Sequence, residues 1–499
     1  MNMTLRRGAR IAAMAGFIAV ATTLAQGCHS ITDPLLNAPD PDIIDPKTLS
    51  STDGSGAEAA RIGTLQRFRN ITAGAESTWL FGGLLADEWS TSSTFVQNDE
   101  TDERRIQENN GSITTMVRSL ARVRTSANQA IAALRAFPPA GTTPWQLAEM
   151  YLARGFAELQ LASDFCNGIP LSDFTATAGP LSGLPPTSGM PLPVAEVFAR
   201  GLVSVDSGLA TTALTSATAS TGEKALNDTI RWTLQVTKGR LLLGLGRQAD
   251  AVLAVQTANG VASVVPTGFV YNQTFATTSG DNIIWSQGAS ARRYTIGDSL
   301  EGNARNLLVL NAIPFFSLND PRLGSVRYSC GSAACGASNP IKDTVKSQDG
   351  FTFSRTTNLW GRSSPIAVAN GTDARLVEAE GKFKAGDNAG MLAILNALRA
   401  APPKVADIQP AVLPPLVDPG TDAKRLDLLF REKALWTFGR GQRLGDLRRL
   451  IRQYGRTPAN TFPIGTHYRG LTYGSDVNLP IVTDERANPN FHGCTDRNA

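Results

Sequence analysis

The feature that most limits what this chain can become is a pattern that it uses twice. Residues 228–243 carry apolar and small side chains at helical spacing, run into Gly244-Leu245-Gly246, and lead directly into a second helical stretch over 247–258. Residues 372–385 run in the same way into Gly386-Asp387, with a second stretch over 389–400. A glycine just past a helix takes the left-handed conformation that closes the last turn at little steric cost. So short a link makes the second helix fold back beside the first. The pattern predicts antiparallel helical hairpins of the tetratricopeptide style. No strict 34-residue period connects the copies, so the array is degenerate and interrupted.

Other stretches extend this architecture. Residues 57–88 carry apolar residues at mostly helical spacing. Met116, Val117, Leu120, Val123, Ala127, Ile131 and Leu134 trace one face of a helix that ends near Pro138. Residues 145–165 and 195–209 read as two more helices. Over 260–370 the texture changes to Gly, Ser, Thr and Asn, with short strand-like pieces at 268–275, 282–285 and 350–355. Trp285, Tyr294, Tyr328 and Trp360 fall in this stretch. Long ordered excursions from a helical scaffold are where binding is commonly found. The expected fold class is therefore mostly α, a single body over 56–499 with a loop-rich insertion at 260–370.

The beginning of the chain obeys different rules. Arg6, Arg7 and Arg10 form a basic head, an uncharged and mostly apolar run covers 11–25, and Gln26-Gly27-Cys28 ends it. A spanning helix needs about 20 apolar residues, so this run is too short to be one. It reads as a secretory signal peptide over 1–27. Leu24-Ala25-Gln26-Gly27-Cys28 resembles the bacterial lipobox, in which the cysteine is acylated and becomes the mature N-terminus. His29 follows, rather than an aspartate, which favours the outer membrane. Residues 28–55 interleave Pro34, Pro39, Pro41 and Pro46 with Asp33, Asp40, Asp42 and Asp45, the composition of an extended tether.

Four cysteines remain after Cys28: Cys166, Cys330, Cys335 and Cys494. An even number in an exported chain points to disulfides. Cys330 and Cys335 close a short loop, and Cys166 with Cys494 would then staple the C-terminal tail to the body; three pairings remain open. With no CxxC and no nearby histidine, zinc is disfavoured, and neither metal nor cofactor is expected.

Composition also narrows the function. A net charge of +4 over 499 residues, without a long Lys/Arg block, leaves nucleic-acid binding no electrostatic footprint. The three histidines, His29, His467 and His492, lie in the tether and the C-terminal coil, and no third partner for a Ser-His-Asp or Cys-His site is visible. Gly439, Gly441 and Gly445 have GxGxxxG spacing after a helix instead of a strand, so they read as a break between two helices and not as a dinucleotide loop. Asp87 and Glu88 are adjacent acids that would point apart on a helix, unlike the facing pair that glycoside hydrolysis needs.

The most specific motif lies near the end: Arg431-Glu432-Lys433, then Phe438, then Gly441-Gln442-Arg443-Leu444-Gly445-Asp446-Leu447-Arg448-Arg449. It resembles the signature of the SusD/RagB family of outer-membrane nutrient-binding lipoproteins. Arg375 with Glu378-Ala379-Glu380, Gly386-Asp387 and Asn396-Ala397-Leu398-Arg399 is similar to that family's helix pair. Leu479-Pro480-Ile481, Glu485 and Asn488-Pro489-Asn490 are similar to its closing segment, and 149–170 match a helix leading into a G-x-P turn. Trp436, Arg440 and Val482 stand where the family has glutamate, glutamate and proline, which marks a divergent branch.

The resemblance implies a SusD-like fold and a protein that captures a nutrient, a glycan or oligosaccharide, at the cell surface. It further implies delivery to a SusC-like TonB-dependent outer-membrane transporter, with no chemistry performed. Glycan-binding members use rings on exposed loops, which makes Trp89, Trp285, Tyr294 and Trp360 the candidates here. Trp79, Trp232 and Trp436 lie on helices and read as core. The signature itself reads as structural. Leu444, Leu447 and Leu450 share one apolar face, Glu432 can pair with a nearby arginine, and Arg443 can meet Asp446 three residues on. Two rival functions stay open: a helical-repeat scaffold lipoprotein of an envelope complex, and a secreted glycan-degrading enzyme.

Overall fold

Helices begin where the chain supplies caps and end where it supplies glycine. In order they are α1 (Ser55–Ala73), α2 (Thr78–Leu85), α3 (Val96–Asp102), α4 (Gly111–Ala136), α5 (Pro144–Asp164), α6 (Val194–Thr212) and α7 (Thr221–Gly244). They continue with α8 (Gln248–Gln256), the single turn α9 (Ile283–Trp285), α10 (Gly371–Lys384), α11 (Asn388–Ala400), α12 (Asp422–Trp436) and α13 (Arg443–Tyr454). This computed structural model describes residues 54–172, 188–258, 261–262, 265–300, 307–326, 346–352, 354–481 and 488–499. The expectations for the signal peptide, Cys28, nearly all of the tether, Tyr328, Cys330 and Cys335 lie outside the described residues.

Two reciprocal caps show how local chemistry sets the boundaries. Ser220 Oγ accepts from the Glu223 N–H while a Glu223 carboxylate oxygen accepts from the Ser220 N–H, so α7 starts at Thr221, ahead of its apolar pattern. Asn370 and Asp373 exchange the same pair of bonds at the start of α10. Both hairpins then close identically. Arg247 N–H donates to Leu242 O and Gly246 N–H to Leu243 O; Asp387 N–H donates to Lys382 O and Gly386 N–H to Phe383 O. Gly246 has φ +73° and Gly386 φ +78°, the left-handed position of a Schellman cap. The glycine turns are thus the same device used twice.

Neighbours in the array pack in the order α1 on α4, α4 on α5, α5 on α6, α6 on α7, α7 on α8, α8 on α10 and α10 on α11. Leu152, Phe156, Val197, Leu234 and Leu241 fill the main core. A smaller core of Leu243, Ala251, Val255, Phe269 and Val377 lies where α7, α8 and α10 meet. No helix among the described residues is long and apolar enough to cross a membrane.

The strands form two-stranded antiparallel ribbons: β1 (Trp89–Thr91), β2 (Ile169–Pro170), β3 (Pro191–Leu192), β4 (Thr257–Ala258), β5 (Val261–Ala262), β6 (Val270–Gln273), β7 (Tyr294–Ile296), β8 (Ser325–Val326), β9 (Thr356–Thr357) and β10 (Ile366–Asn370). They pair as β1–β7, β2–β3, β4–β5, β6–β10 and β8–β9. Three local expectations are corrected. Residues 282–285 form a helical turn and not a strand, because Asn282 Oδ1 accepts from the N–H groups of Ile284 and Trp285. Where a strand is expected over 350–355, residues 350–352 bend around Asp349, whose carboxylate accepts from the N–H groups of Phe351 and Thr352, and a strand is found at Thr356–Thr357. The helical run over 57–88 breaks into two helices at Gly74, and Asp87 and Glu88 lie beyond the second.

The C-terminal tail is fastened to the end of α5. Cys166 and Cys494 form a disulfide with Cα atoms 5.8 Å apart. Beside it the Cys166 N–H donates to Leu479 O at 2.9 Å, and Asn167 donates to Asp496 at 3.1 Å.

Candidate functional site

The signature residues are buried and committed to one another. Glu432, 3% exposed, accepts from Arg322 and from Arg399, each at 2.7 Å. Arg322 also clamps Asp320 at 2.8 and 2.7 Å. Burial pushes the Asp320 carboxyl up, but the Arg322 bonds outweigh it and hold the group below its ordinary range. Lys433 donates to Glu380 at 2.6 Å and Asp446 at 3.0 Å, and Arg449 donates to the same two carboxylates at 2.8 and 2.7 Å. Against a large burial penalty, Arg449 and Lys433 drive Glu380 well below the usual carboxylate range.

Arg443 does not meet Asp446, contrary to the expectation from their spacing. It grips Asp87 in a bidentate pair at 2.7 and 2.9 Å. A two-pronged buried carboxylate outcompetes a surface pair three residues apart, worth about 0.2–0.5 kcal/mol. Arg440 clamps Asp373 at 3.0 and 2.6 Å. Glu88 is fully buried and accepts the Gly439 N–H at 3.0 Å; burial raises its pKa to about 8. Asp87 is therefore neutralised and Glu88 enclosed, so this acid pair is not arranged for hydrolysis. The whole signature holds the α12–α13 break against α10 and against the turn between α2 and β1.

The candidate rings separate into two groups. Trp89 is 2% exposed and packs on Phe438 at 4.8 Å; Tyr294 is 4% exposed. Neither is the exposed platform that the loop-rich setting suggests, because β1–β7 pairing carries both into the core. Trp285 is half-buried against the same core. Trp360 is also buried, yet it lines a cavity of about 460 Å³. Gly439, at φ +67°, lets the chain pass between two indoles: a Cβ there would sit 3.0 Å from Trp360 Cη2 and 3.2 Å from Trp89 Cζ2.

Four chain segments build that cavity: residues 267–272 at β6, 360–372 around β10, 403–407, and 436–440 from the end of α12. Phe269, Trp360 and Trp436 form its aromatic floor, while Asn272, Lys404 and Asp407 are exposed at its rim. Trp436 is only 2% exposed and its Nε1 has no hydrogen-bond partner. A buried unpaired donor costs about 1–3 kcal/mol unless water or a ligand oxygen meets it. Arg440 reaches the same wall, but Asp373 takes its charge. The volume suits a small organic ligand, and rings beside a few polar groups can hold a molecule with both C–H faces and hydroxyls. Trp360 is one of the rings expected at a ligand surface, and Trp436 is expected as core. Trp436 is both core and wall, and its place where the resembling family has glutamate is the one signal that marked it.

The architecture defines the class first: an array of tetratricopeptide-like helical hairpins with loops and short ribbons built onto it. No family profile matches the sequence, and no curated protein does. Solved structures supply the particular fold. A SusD-like protein from Bacteroides fragilis superposes with a TM-score of 0.59 at 12% identity, over 92% of this chain and 100% of that one. A SusD superfamily protein from Bacteroides thetaiotaomicron gives 0.59 at 13% identity, over 90% and 99%. A laminarin-binding SusD-like protein gives 0.52 at 16% identity, over 89% and 100%. The chain has the SusD fold, carried by a sequence far from these neighbours.

Proposed function

We propose that this chain is a divergent SusD-type surface lipoprotein that binds a saccharide in the cavity floored by Trp360, Trp436 and Phe269. The observation that carries the reading is the cavity itself: about 460 Å³, an aromatic floor, an unpartnered Trp436 N–H and a polar rim. A pyranose lays a C–H face on an indole, a small outward turn of Trp436 lets its buried N–H donate to the ring oxygen or a hydroxyl, and the remaining hydroxyls bond Asn272, Lys404 and Asp407. Laminarin-binding and putative sugar-binding neighbours of the same fold support this ligand class. In this account Cys28 carries lipid in the outer membrane, and the saccharide passes to a TonB-dependent transporter.

Affinity electrophoresis against a panel of soluble glycans tests the binding step. At least one glycan should retard the protein, and Asn272→Ala with Lys404→Ala should weaken that retention several-fold without changing the melting temperature. A panel with no retention, or rim variants that bind unchanged, defeats the cavity assignment. The transporter step is tested separately: a detergent pull-down of the tagged protein from outer membranes should recover a large β-barrel. Repeated failure to recover one would favour a scaffold role.

A further inference from the structure

A second, smaller cavity, about 40 Å³, lies between α5, α6, α7, α10, α12 and α13. A water needs about 10–15 Å³ on this measure, so it holds roughly three water-sized particles. That is too little for a sugar, and the site is separate in its lining from the cavity above. Its charge is what distinguishes it. Arg240, Lys433, Arg449 and Arg452 line it together with Asp373 and Asp446.

The carboxylates are spoken for. Asp373 is clamped by Arg440 and also accepts from Gln442, while Asp446 and Glu380 share Lys433 and Arg449. Next to the cavity, Arg448 donates to Ser163 O and faces Asp164 electrostatically; Asp496 and Arg497, also near Arg448, offset one another. The cations Arg240, Arg440, Arg448, Arg449, Arg452 and Lys433 thus face the carboxylates Asp164, Asp373, Glu380 and Asp446, six against four. The excess is two positive charges. Burial raises the Asp164 pKa, which can only enlarge it.

The two unmatched groups are identifiable. Arg240 and Arg452 make no hydrogen bond or ion pair among the described residues, and Arg452 Nη1 is buried without a partner. Their guanidinium groups lie over Phe156 at 5.6 Å and Phe198 at 5.9 Å. Burial pulls both pKa values down to about 10, so both stay charged at neutral pH. The C-terminal ends of α5, α7 and α13 reach the cavity at Ser163, Gly244 and Arg452, and at no more than roughly half a negative charge each they leave part of the excess unmet. Both side chains are half-buried; water in the cavity could satisfy their donors but would not neutralise their charge, and a half-buried charge without a counter-ion still carries a desolvation cost.

We propose that this cavity is a binding site for a small inorganic anion, held between Arg240 and Arg452, that locks α13 against α7. The full mature chain would be melted in phosphate, sulfate or chloride, each titrated against a bulky organic anion at matched ionic strength. The expected result is a saturable rise in midpoint with at least one of the three. Arg240→Gln or Arg452→Gln should weaken its apparent affinity at least tenfold, and the double variant should abolish the response. Removing the unmatched charges should also leave the double variant at least as stable as the parent in the bulky-anion buffer, the reverse of what a structural arginine would do. The proposal is overturned if the parent shows no saturable anion response, or if the double variant keeps it. A double variant destabilised in the bulky-anion buffer equally overturns it. Glycan retention is read out separately, so failure here leaves the saccharide proposal standing.

Discussion

The signature at the α12–α13 break and the cavity beside it sit on either side of the same short stretch of chain, and they treat buried polar groups in opposite ways. At the break, Glu380, Glu432, Asp87 and Asp373 each meet one or more cations in hydrogen-bonding range. In the cavity, the Trp436 N–H is left without a partner under an aromatic floor. Carboxylates satisfied from within have nothing left to offer a ligand. A donor buried in a cavity wall, with no internal group to satisfy it, has a bond left to give. The most specific motif in the chain is therefore chiefly an organiser of the fold, and the binding candidate adds Trp436 and Arg440 at its edge to residues that belong to no motif.

The contrast can be broken or sharpened by substitution. Glu380→Gln should have the largest effect, because it leaves Lys433 and Arg449 buried with only Asp446 shared between them; about 3–5 kcal/mol of stability should be lost in urea unfolding. If that variant unfolds at the parent's midpoint, the break is not the lattice described. The same lattice sets an acid limb. Folded Glu380, Asp320 and Asp373 titrate below their unfolded values, so the stability they contribute is present above about pH 4 and disappears as pH falls through the folded values.

Glu88 has the opposite sign. Its pKa is raised to about 8, so its contribution is present below the unfolded value near 4.5 and is lost as pH rises toward 8. Glu88→Gln should stabilise the protein at pH 8 by roughly 1–3 kcal/mol and flatten the pH profile between those values; a destabilised variant at pH 8 would show that Glu88 is wanted as an anion. The smallest structural effect belongs to the cavity. Trp436→Phe removes the unpaired N–H and keeps most of the ring, so stability should change by less than about 1.5 kcal/mol while glycan retention drops several-fold.

What was legible in the sequence follows the range of the forces involved. The hairpins were readable because helical period and C-terminal glycine act within a few residues, as at Gly246 after Leu243; the Ser220–Glu223 cap went unread, so the pattern starts α7 at 228 and not at Thr221. Glu432 was readable as an ion-pair partner because a buried glutamate needs one. The actual partner of Arg443 was not, since Asp87 lies 356 residues away and only the folded chain brings it near. The rings failed for the same reason. Trp89 and Tyr294 sit in stretches that look like loops, and it is the pairing of β1 with β7 that buries them. The cavity needs four separate segments, which no local pattern announces.

The measurement that bears most directly on the account is glycan affinity for Trp436→Phe and Asn272→Ala, each compared with the parent at equal foldedness. The account predicts an affinity loss of several-fold or more in both, with melting midpoints close to the parent's. Unchanged affinity in two well-folded variants would contradict it and move the binding site elsewhere on the molecule.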